Sequence, residues 1–502
     1  MDSPSPRGVP RAVDTYPPVC ILLTSYGTGA GAGKKLGVAG YSHDIVAKIY
    51  RPLLEQIGRV VLVDDAQAEL IPLAEQARRE GLFPLQFSVT PFQDVFLPPS
   101  FPSIVAPAWE FPDVPDHMFA GNPQNDWPAT ADRCARVIVS GRFTADALRR
   151  GGATVPIDLV QVPVADGLFQ VPLWDPSQTT ELHCRHIVLN GRQPGHTVAS
   201  PFAERDAVPQ RTIDWRAGMR SMARSVYRMA VRPVIGDRLA RSLRDALRVG
   251  RLTWQAYQNV QHHDPRLAPL SLSGVVYTSI FNPNDGRKNW HDLLTAFLVA
   301  MRDRPDVTLV VKLVTNDPVS VGRFVQWYHQ RQLPHQCRVV VVTGYLSDEE
   351  MQNLIQASTF YYQATKAEGN CLPLMDYLAA GRPGISPNHS AMSDYFDERF
   401  GHVIRSSPEP AAWPHDPRGG IQTTWGRIDW SSIVEALHTS YHQATADFSS
   451  YQAMSRTARE HMAAWAGIDS VQPRLEQAIR RVIQESRHDG FPVNGEVERI
   501  AA

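Results

Sequence analysis

At 502 residues and 43% hydrophobic content, the chain is long enough for roughly two or three ordinary domains, each with its own core. Its 50 basic and 51 acidic residues leave a formal net charge of −1, which excludes a whole-molecule pull towards nucleic acid or an anionic membrane. Five cysteines (Cys20, Cys134, Cys184, Cys337, Cys371) are odd in number and scattered, so no disulfide framework is expected and a reducing compartment is. The stretch MDSPSPRGVPRAVDTYPP has no basic region followed by an apolar one, and no apolar run reaches membrane-spanning length. The expectation is a soluble, cytoplasmic protein.

The first pattern in chain order is an apolar strand, Val19 to Leu23, running into the glycine-rich stretch ILLTSYGTGAGAGKKLG (21–37). A P-loop needs Gly, four residues, Gly, Lys and then Ser or Thr. Counting back from Gly33-Lys34 places Thr28 where the first Gly belongs and Lys35 where the hydroxyl is required. The dinucleotide fingerprint Gly-x-Gly-x-x-Gly fails from Gly27 and again from Gly31. What survives is a strand, a glycine turn able to approach a ligand, and the helical pattern YSHDIVAKIYRPLLEQIG, together a βα crossover. Strand candidates follow at 59–65, 84–90, 103–110, 136–140 and 157–164, with helices such as AELIPLAEQARREG and FTADALRRGG among them. Continuous apolar strands alternating with helices predict a parallel sheet covered on both faces. Glu110, closing the predicted strand 103–110, is expected to face the ligand-binding edge of that sheet. His43 is a second candidate there, or else a helix-capping residue.

Residues 171–271 break this alternation. Between 211 and 251 stand eleven arginines, three aspartates and no lysine. Arg216, Arg220, Arg224, Arg228 and Arg232 recur at every fourth position, opposite an apolar stripe of Met219, Met222, Val226 and Met229. The spacing predicts an amphipathic helix ended by Pro233, followed by a second basic helix, DRLARSLRDALRVG. Two readings stand: a face for an anionic membrane surface, or a hairpin packed on the N-terminal domain through its methionines with a solvated arginine face. Nucleic acid is not expected, because no recognised binding fold surrounds the helix. His183-Cys184-Arg185-His186 and His262-His263-Asp264 lack the paired spacing of a zinc site, so no metal is expected.

From about 272 the alternation resumes with GVVYTSIF, a helix over NWHDLLTAFLVAMRDR, VTLVVKLV, RVVVVTGY, a helix over SDEEMQNLIQAS, then TFYYQA and PLMDYLAAG. Chemistry concentrates in KAEGNCLPLMDYLAAGRPGIS (366–386). Glu368 follows a strand, Gly369-Asn370 loosens the loop, Pro373 suits a first helical position and Gly381 suits the stop. Free amides at the helix start then lie between Glu368 and Asp376, an arrangement able to bind a polyol diphosphate. The plain alternative is an acidic loop before an amphipathic helix. SSPEPAAWPHDPRGGIQTTWGRIDW (406–430) is turn-rich and expected to wrap the second domain, and the helical periodicity near 474–479 to cross back towards the first.

The stretch Glu368 to Pro383 resembles the signature of retaining glycosyltransferases of the GT-B fold, in particular family 4, which reads EGxGLPxLEAxAxGxPVI. FNPNDGRKNWHDLLTAF is similar to that family's basic loop and helix, and VVTGYLSDEEMQNLIQAS to its segment around the nucleotide base. WEFPDVP followed by VIVSGRFTADAL resembles the acceptor-domain segment of bacterial polysaccharide transferases. The resemblance implies an α/β chain with two Rossmann-like domains facing a cleft and a helical insertion in the middle. The acceptor domain spans 1–170, the arginine-rich insertion 171–271, the donor domain 272–465, and a helix crossing back with a tail 466–502.

Carried over by position, the resemblance makes Glu368 the acceptor of hydrogen bonds from donor-sugar hydroxyls and Asp376 the ribose ligand. Amides of Gly369, Asn370, Cys371 and Leu372 meet the sugar and distal phosphate. Arg287 and Lys288 neutralise the diphosphate, and the base rests near Lys312 to Val314 and Tyr345-Leu346. Gly27 and Gly29 belong to a glycine loop facing the diphosphate; Lys34 and Lys35 beside it are phosphate contacts or ordinary surface residues. Glu110 and His43 fall on the acceptor side. In this family the leaving phosphate takes the acceptor proton, so no protein base, metal or cofactor is implied beyond the nucleotide-sugar donor. Two positions depart from the pattern: the second carboxylate is Asp376 rather than Glu, and the family's usual arginine falls at Pro283. The implied activity is retaining transfer of a hexose from a nucleotide-diphosphate sugar to a glycan or lipid-linked acceptor, in surface polysaccharide synthesis, cytoplasmic or peripheral on the inner membrane face. A nucleotide-sugar epimerase and a non-catalytic GT-B scaffold subunit are the alternatives.

Overall fold

The structure is a computed structural model that describes residues 17–26, 36–37, 40–189, 191, 266–331, 333–413, 416 and 419–488. Gly27, Gly29, Lys34, Lys35 and the whole arginine stripe from Arg216 to Arg232 lie outside the described residues. The chain divides into two compact units, Met1–Asp175 with Ser358–Ala502, and Pro176–Ala357.

In the first unit, β1 (Val19–Thr24), β2 (Arg59–Val63), β3 (Phe83–Ser88), β4 (Ser103–Val105), β5 (Arg136–Val139) and β6 (Ile157–Leu159) form one sheet in the order β2-β1-β3-β4-β5-β6. Every pairing is parallel. The apolar run VCILLT is buried at every position of β1, as the two-sided covering of a parallel sheet demands. Alternation then assigns the faces. Ile21 and Leu23 pack with Val46, Tyr50, Leu53 and Leu54 of the helix Tyr41–Ile57. Cys20 and Leu22 pack with Leu70, Ala74 and Ala77 of the helix Ala66–Arg79. Asp65 starts that second helix, its Oδ1 accepting from the amides of Gln67 and Ala68 at 3.1 Å each.

The second unit is built on β7 (Thr180–Leu189), β8 (Arg266–Leu272), β9 (Val275–Phe281), β10 (Val307–Leu313) and β11 (Arg338–Thr343), in the order β9-β10-β11-β7-β8. The three apolar strands β9, β10 and β11 run parallel, and β7 and β8 add an antiparallel pair. That pair takes up the HCRHIVL stretch, whose His183, Cys184 and His186 are therefore strand residues. Leu182, Cys184, Leu270 and Leu272 pack with Val310, Val340 and Val342.

The later part of the first unit carries β12 (Phe360–Tyr362), β13 (Gly384–Pro387) and β14 (Gly401–Ile404), with β13 paired in parallel to both neighbours. β15 (Ser406–Ala412) and β16 (Gln422–Ile428) form an antiparallel hairpin. This hairpin accounts for the turn-rich stretch 406–430. Besides meeting Lys366 of the predicted second domain, it packs on the first: its flanking Trp413 and Ile421 join Trp109, Phe111, Phe119 and Trp127 in one buried cluster. The last described helix, Ile468–His488, returns to the first sheet: Val471, Leu475, Ile479 and Val482 pack in the same cluster as Ile21 and Tyr50.

Candidate active site

Glu368 sits in the loop after β12 and is 6% exposed. Its amide donates to Ser390 Oγ at 3.0 Å, and its carbonyl accepts from the amide of Ala391 at 3.2 Å. The short 3-10 turn Ser390–Asp394 after β13 therefore holds the loop from one side. The hairpin holds it from another, where the Gly426 amide donates to the Lys366 carbonyl at 2.8 Å. Lys366 lays its ammonium over the Trp425 ring at 4.4 Å and faces Glu409 at 3.8 Å. Gly369 has no side chain because none fits comfortably: a Cβ there would stand 3.3 Å from the Trp109 backbone nitrogen.

Past Gly369 the chain turns through Asn370 and Cys371 into the helix Leu372–Ala379. Cys371 occupies the left-handed region (φ 54) that glycine fills more easily. Its thiol donates to Gln363 Oε1 at 3.1 Å, and Tyr395 Oη donates to the Asn370 carbonyl at 2.7 Å. These bonds fix an otherwise costly turn, and the Cys371 carbonyl in turn accepts from the amides of Leu374 (3.0 Å) and Met375 (3.3 Å). Gly381 ends the helix segment in the left-handed conformation, φ 68, as the sequence requires of a stop. Asp376 projects from the second turn of this helix; burial pushes its carboxyl pKa up to about 7.

The loop ends of the first sheet bring a second set of groups together. The strand β4 stops at Val105, so Glu110 lies in the following loop and not at a strand end, because Pro107 and Pro112 bracket a segment that makes no further ladder bonds. Glu110 adjoins Trp109, whose carbonyl accepts from Thr144 Oγ1 at 3.3 Å. His43 stands in the first turn of its helix with its ring 5.5 Å from that of Tyr26. Both its ring nitrogens are buried and have no hydrogen-bond partner among the described residues. Burial holds its pKa below the usual histidine value, while the nearby charges of Glu110, Asp44 and Asp94 pull the other way. Tyr26 Oη donates to Asp94, and Ser25 Oγ donates to Asp44 at 2.5 Å. Four acidic or aromatic side chains thus surround His43.

The remaining candidates belong to the second unit. Arg287 and Lys288 lie in a 3-10 turn, Gly286–Lys288, that Asp285 caps. The Arg287 guanidinium pairs with Asp285 at 2.8 Å, so it is oriented and partly neutralised by its own loop. Pro283 supplies its carbonyl to Trp290 Nε1 at 3.0 Å. Lys312 is 3% exposed; its ammonium donates to the carbonyls of Gly344 (2.6 Å) and Leu313 (3.1 Å), and burial lowers its pKa to about 8. Tyr345 is 44% exposed, whereas Leu346 is buried and lines, with Cys184, Glu350 and Asn353, a cavity of about 470 Å³. Among the described residues no group of three His, Cys, Asp or Glu could hold a metal ion, and no helix is long and apolar enough to cross a membrane.

Sequence reading missed the supports of the Glu368 loop: Ser390, Asp394, Tyr395 and the tryptophans of the hairpin. Asp394 had no local signal at all, since the amide it binds, on Phe143, lies 251 positions earlier.

No protein-family model matches the chain, and no curated protein matches its sequence. Solved structures do. Anabaena HepE in complex with UDP aligns at 11% identity over 92% of this chain and 100% of its own, with a TM-score of 0.50. Sucrose-phosphate synthase from Thermosynechococcus elongatus aligns at 12% identity over 93% of this chain and 100% of its own, also at 0.50. At such identity the likeness concerns architecture: parallel-dominated sheets with helices on their faces. The chain has the two-domain α/β fold of the GT-B type.

Proposed function

We propose that the protein is a retaining glycosyltransferase that moves a hexose from a nucleotide-diphosphate sugar to a glycan or lipid-linked acceptor. The observation that carries this reading is the Glu368–Asp376 segment. A buried carboxylate, a strained loop and a helix N-terminus follow one another there, beside the segment that bears Glu110. In this reading Glu368 accepts hydrogen bonds from sugar hydroxyls as positive charge develops on the anomeric carbon. The amides from Gly369 to Leu372 receive the distal phosphate, where the helix dipole favours negative charge. Asp376 accepts from the ribose diol. Glu110 and His43 line the acceptor's approach. Arg287 and Lys288 contribute positive charge to the diphosphate, and the base rests near Lys312, Tyr345 and Leu346. The departing phosphate, whose negative charge grows as the bond breaks, takes the acceptor's proton, and no protein base is required.

The experiment is calorimetry with UDP-, GDP-, ADP- and dTDP-sugars, UDP-sugars first because HepE was solved with UDP. Binding of one nucleotide class, followed by transfer with the anomeric configuration kept, supports the proposal. Absence of binding across the panel removes it, and an inverted product removes the retaining part. The same proposal assigns the arginine stripe, Arg216 to Arg232, to an anionic membrane surface. Sedimentation with anionic vesicles should then show binding that salt abolishes and that Arg220, Arg224 and Arg228 changed to Gln remove. Equal binding to neutral vesicles, or none to either, rejects the membrane assignment.

A further inference from the structure

The helix Arg142–Arg150 begins without a local cap. Its N-cap position is Gly141, which has no side chain to accept from the first amides. The acceptor comes from far along the chain: Asp394 Oδ2 accepts from the Phe143 amide at 3.2 Å. The closeness is enforced from both sides. A Cβ on Gly141 would collide with the Asp394 carboxylate, although the Gly141 backbone is ordinary extended chain (φ −156) that any residue adopts. Glycine is needed there for room alone.

Following the bonds outward from Asp394 gives a closed circuit. Asp394 belongs to the turn Ser390–Asp394, whose Ser390 and Ala391 grip the backbone of Glu368. On the other side, Thr144 of the capped helix donates to the Trp109 carbonyl. The Trp109 backbone then lies against Gly369, and Glu110 is its neighbour. Glu368 and Glu110 are thus tied to each other by way of Asp394, and no bond in the circuit depends on a substrate.

We propose that Asp394 is a positioning residue: by capping the helix Arg142–Arg150 it sets the register between the Glu368 loop and the Trp109–Glu110 segment, and so between donor and acceptor. The inference rests on the glycosyltransferase reading for its functional half and on geometry alone for its structural half. A carboxylate at a helix start is favoured by the unpaired amides and the helix dipole together, and the positive charge of Arg142 acts in the same direction. A shift of about an ångström between reacting groups costs on the order of a hundredfold in rate. Loss of the cap should therefore act on turnover and spare nucleotide binding, because the ribose, diphosphate and base contacts proposed for Asp376, Arg287, Lys288, Lys312 and Tyr345 lie outside the circuit.

The test compares three variants of the full chain. Asp394→Ala should lower sugar transfer by about ten- to a hundredfold, with the dissociation constant for free nucleoside diphosphate within about twofold of wild type. Asp394→Asn keeps a carbonyl oxygen for the Phe143 amide and should restore most of the turnover. Gly141→Ala leaves Asp394 in place but pushes it away, and should reproduce Asp394→Ala. Amide exchange gives a readout that needs no substrate. In Asp394→Ala, exchange should quicken both at 142–144 and at 366–371, and in Asp394→Asn it should not. Unchanged exchange at 366–371 in Asp394→Ala overturns the proposal whatever the activity. So does nucleotide affinity that falls in step with turnover, since that marks general damage to the loop. If wild type binds no nucleotide sugar, the functional reading fails while the exchange data still decide whether the circuit exists.

Discussion

Asp376 is half-buried on the helix Leu372–Ala379, and its pKa rises to about 7 because burial penalises the charge. The folded state therefore holds this proton more tightly than the unfolded chain, whose carboxyl titrates near 3.8. The sign follows: the contribution of Asp376 to stability is most favourable at low pH, declines as pH rises from about 4 to about 7, and is flat above. Asp376→Asn should accordingly raise the melting temperature at pH 8 more than at pH 5. A ribose diol donates hydrogen bonds and so prefers the charged form. Nucleotide affinity should strengthen as pH rises through about 7, a trend that Asp376→Ala abolishes while costing about 1.5 to 3 kcal/mol at pH 8. Calorimetry at pH 6 and 8 checks both. Glu368→Gln is expected to lower turnover about a hundredfold with nucleotide affinity nearly unchanged; full activity in that variant removes its role. Cys371 poses a different problem, since its φ of 54 belongs to glycine's territory. Cys371→Val should destabilise by about 1 to 3 kcal/mol, as a branched side chain at positive φ does, and urea melts measure it. The Glu368 loop was legible in the sequence because glycine, proline and carboxylate stand at fixed offsets within a few residues. Asp394 was not, because a cap supplied from 251 positions away leaves no local trace.

The hairpin β15–β16 is the element whose placement most changes the picture. Trp413 is 3% exposed, with ring centroids 5.4 Å from Trp109 and 6.0 Å from Phe119. Thr423 Oγ1 reaches Asp113 Oδ2 at 3.4 Å. Trp413→Ala should cost about 3 to 5 kcal/mol, the range for an aromatic removed from a packed core, and should also loosen the Trp109 backbone under Gly369. Thermal melts read the first effect and amide exchange at 108–110 the second. The sequence marks 406–430 as turn-rich, but a two-stranded element with one wet face shows only a weak alternation (Pro408, Glu409 and Pro410 interrupt it), and its packing partner cannot be read from pattern. The pair β7–β8 was hidden for a related reason. Its strands stand 76 residues apart, between Leu189 and Arg266, so no hairpin turn announces them. The long buried parallel strands, by contrast, were legible: VCILLT and RVVVVT are apolar at nearly every position because helices cover both faces, whereas the strands expected at 103–110 and 157–164 stop at Val105 and Leu159.

At the scale of the molecule, the first unit joins the beginning of the chain to its end. The last described helix, Ile468–His488, supplies Val471, Leu475, Ile479, Val482 and Ile483 to the core beneath β1 and β3. Arg136, 4% exposed, is held by Asp158 at 3.0 Å and by Glu485 of that helix at 2.6 Å. During synthesis this arrangement imposes a wait. The ribosome adds about 5 to 20 residues each second, so the interval between residue 175 and residue 488 lasts roughly 15 to 60 seconds. For that time one face of the first sheet has strands, loops and its Tyr41–Ile57 helix, yet lacks the partner that covers the rest of it. A chaperone that shields apolar surface should bind the nascent chain in this window and leave once the last helix emerges. Ribosome-bound chains arrested near residue 400, and after residue 502 with an added linker long enough to clear the exit tunnel, compared for chaperone occupancy, put a clock on the moment this helix meets the first sheet.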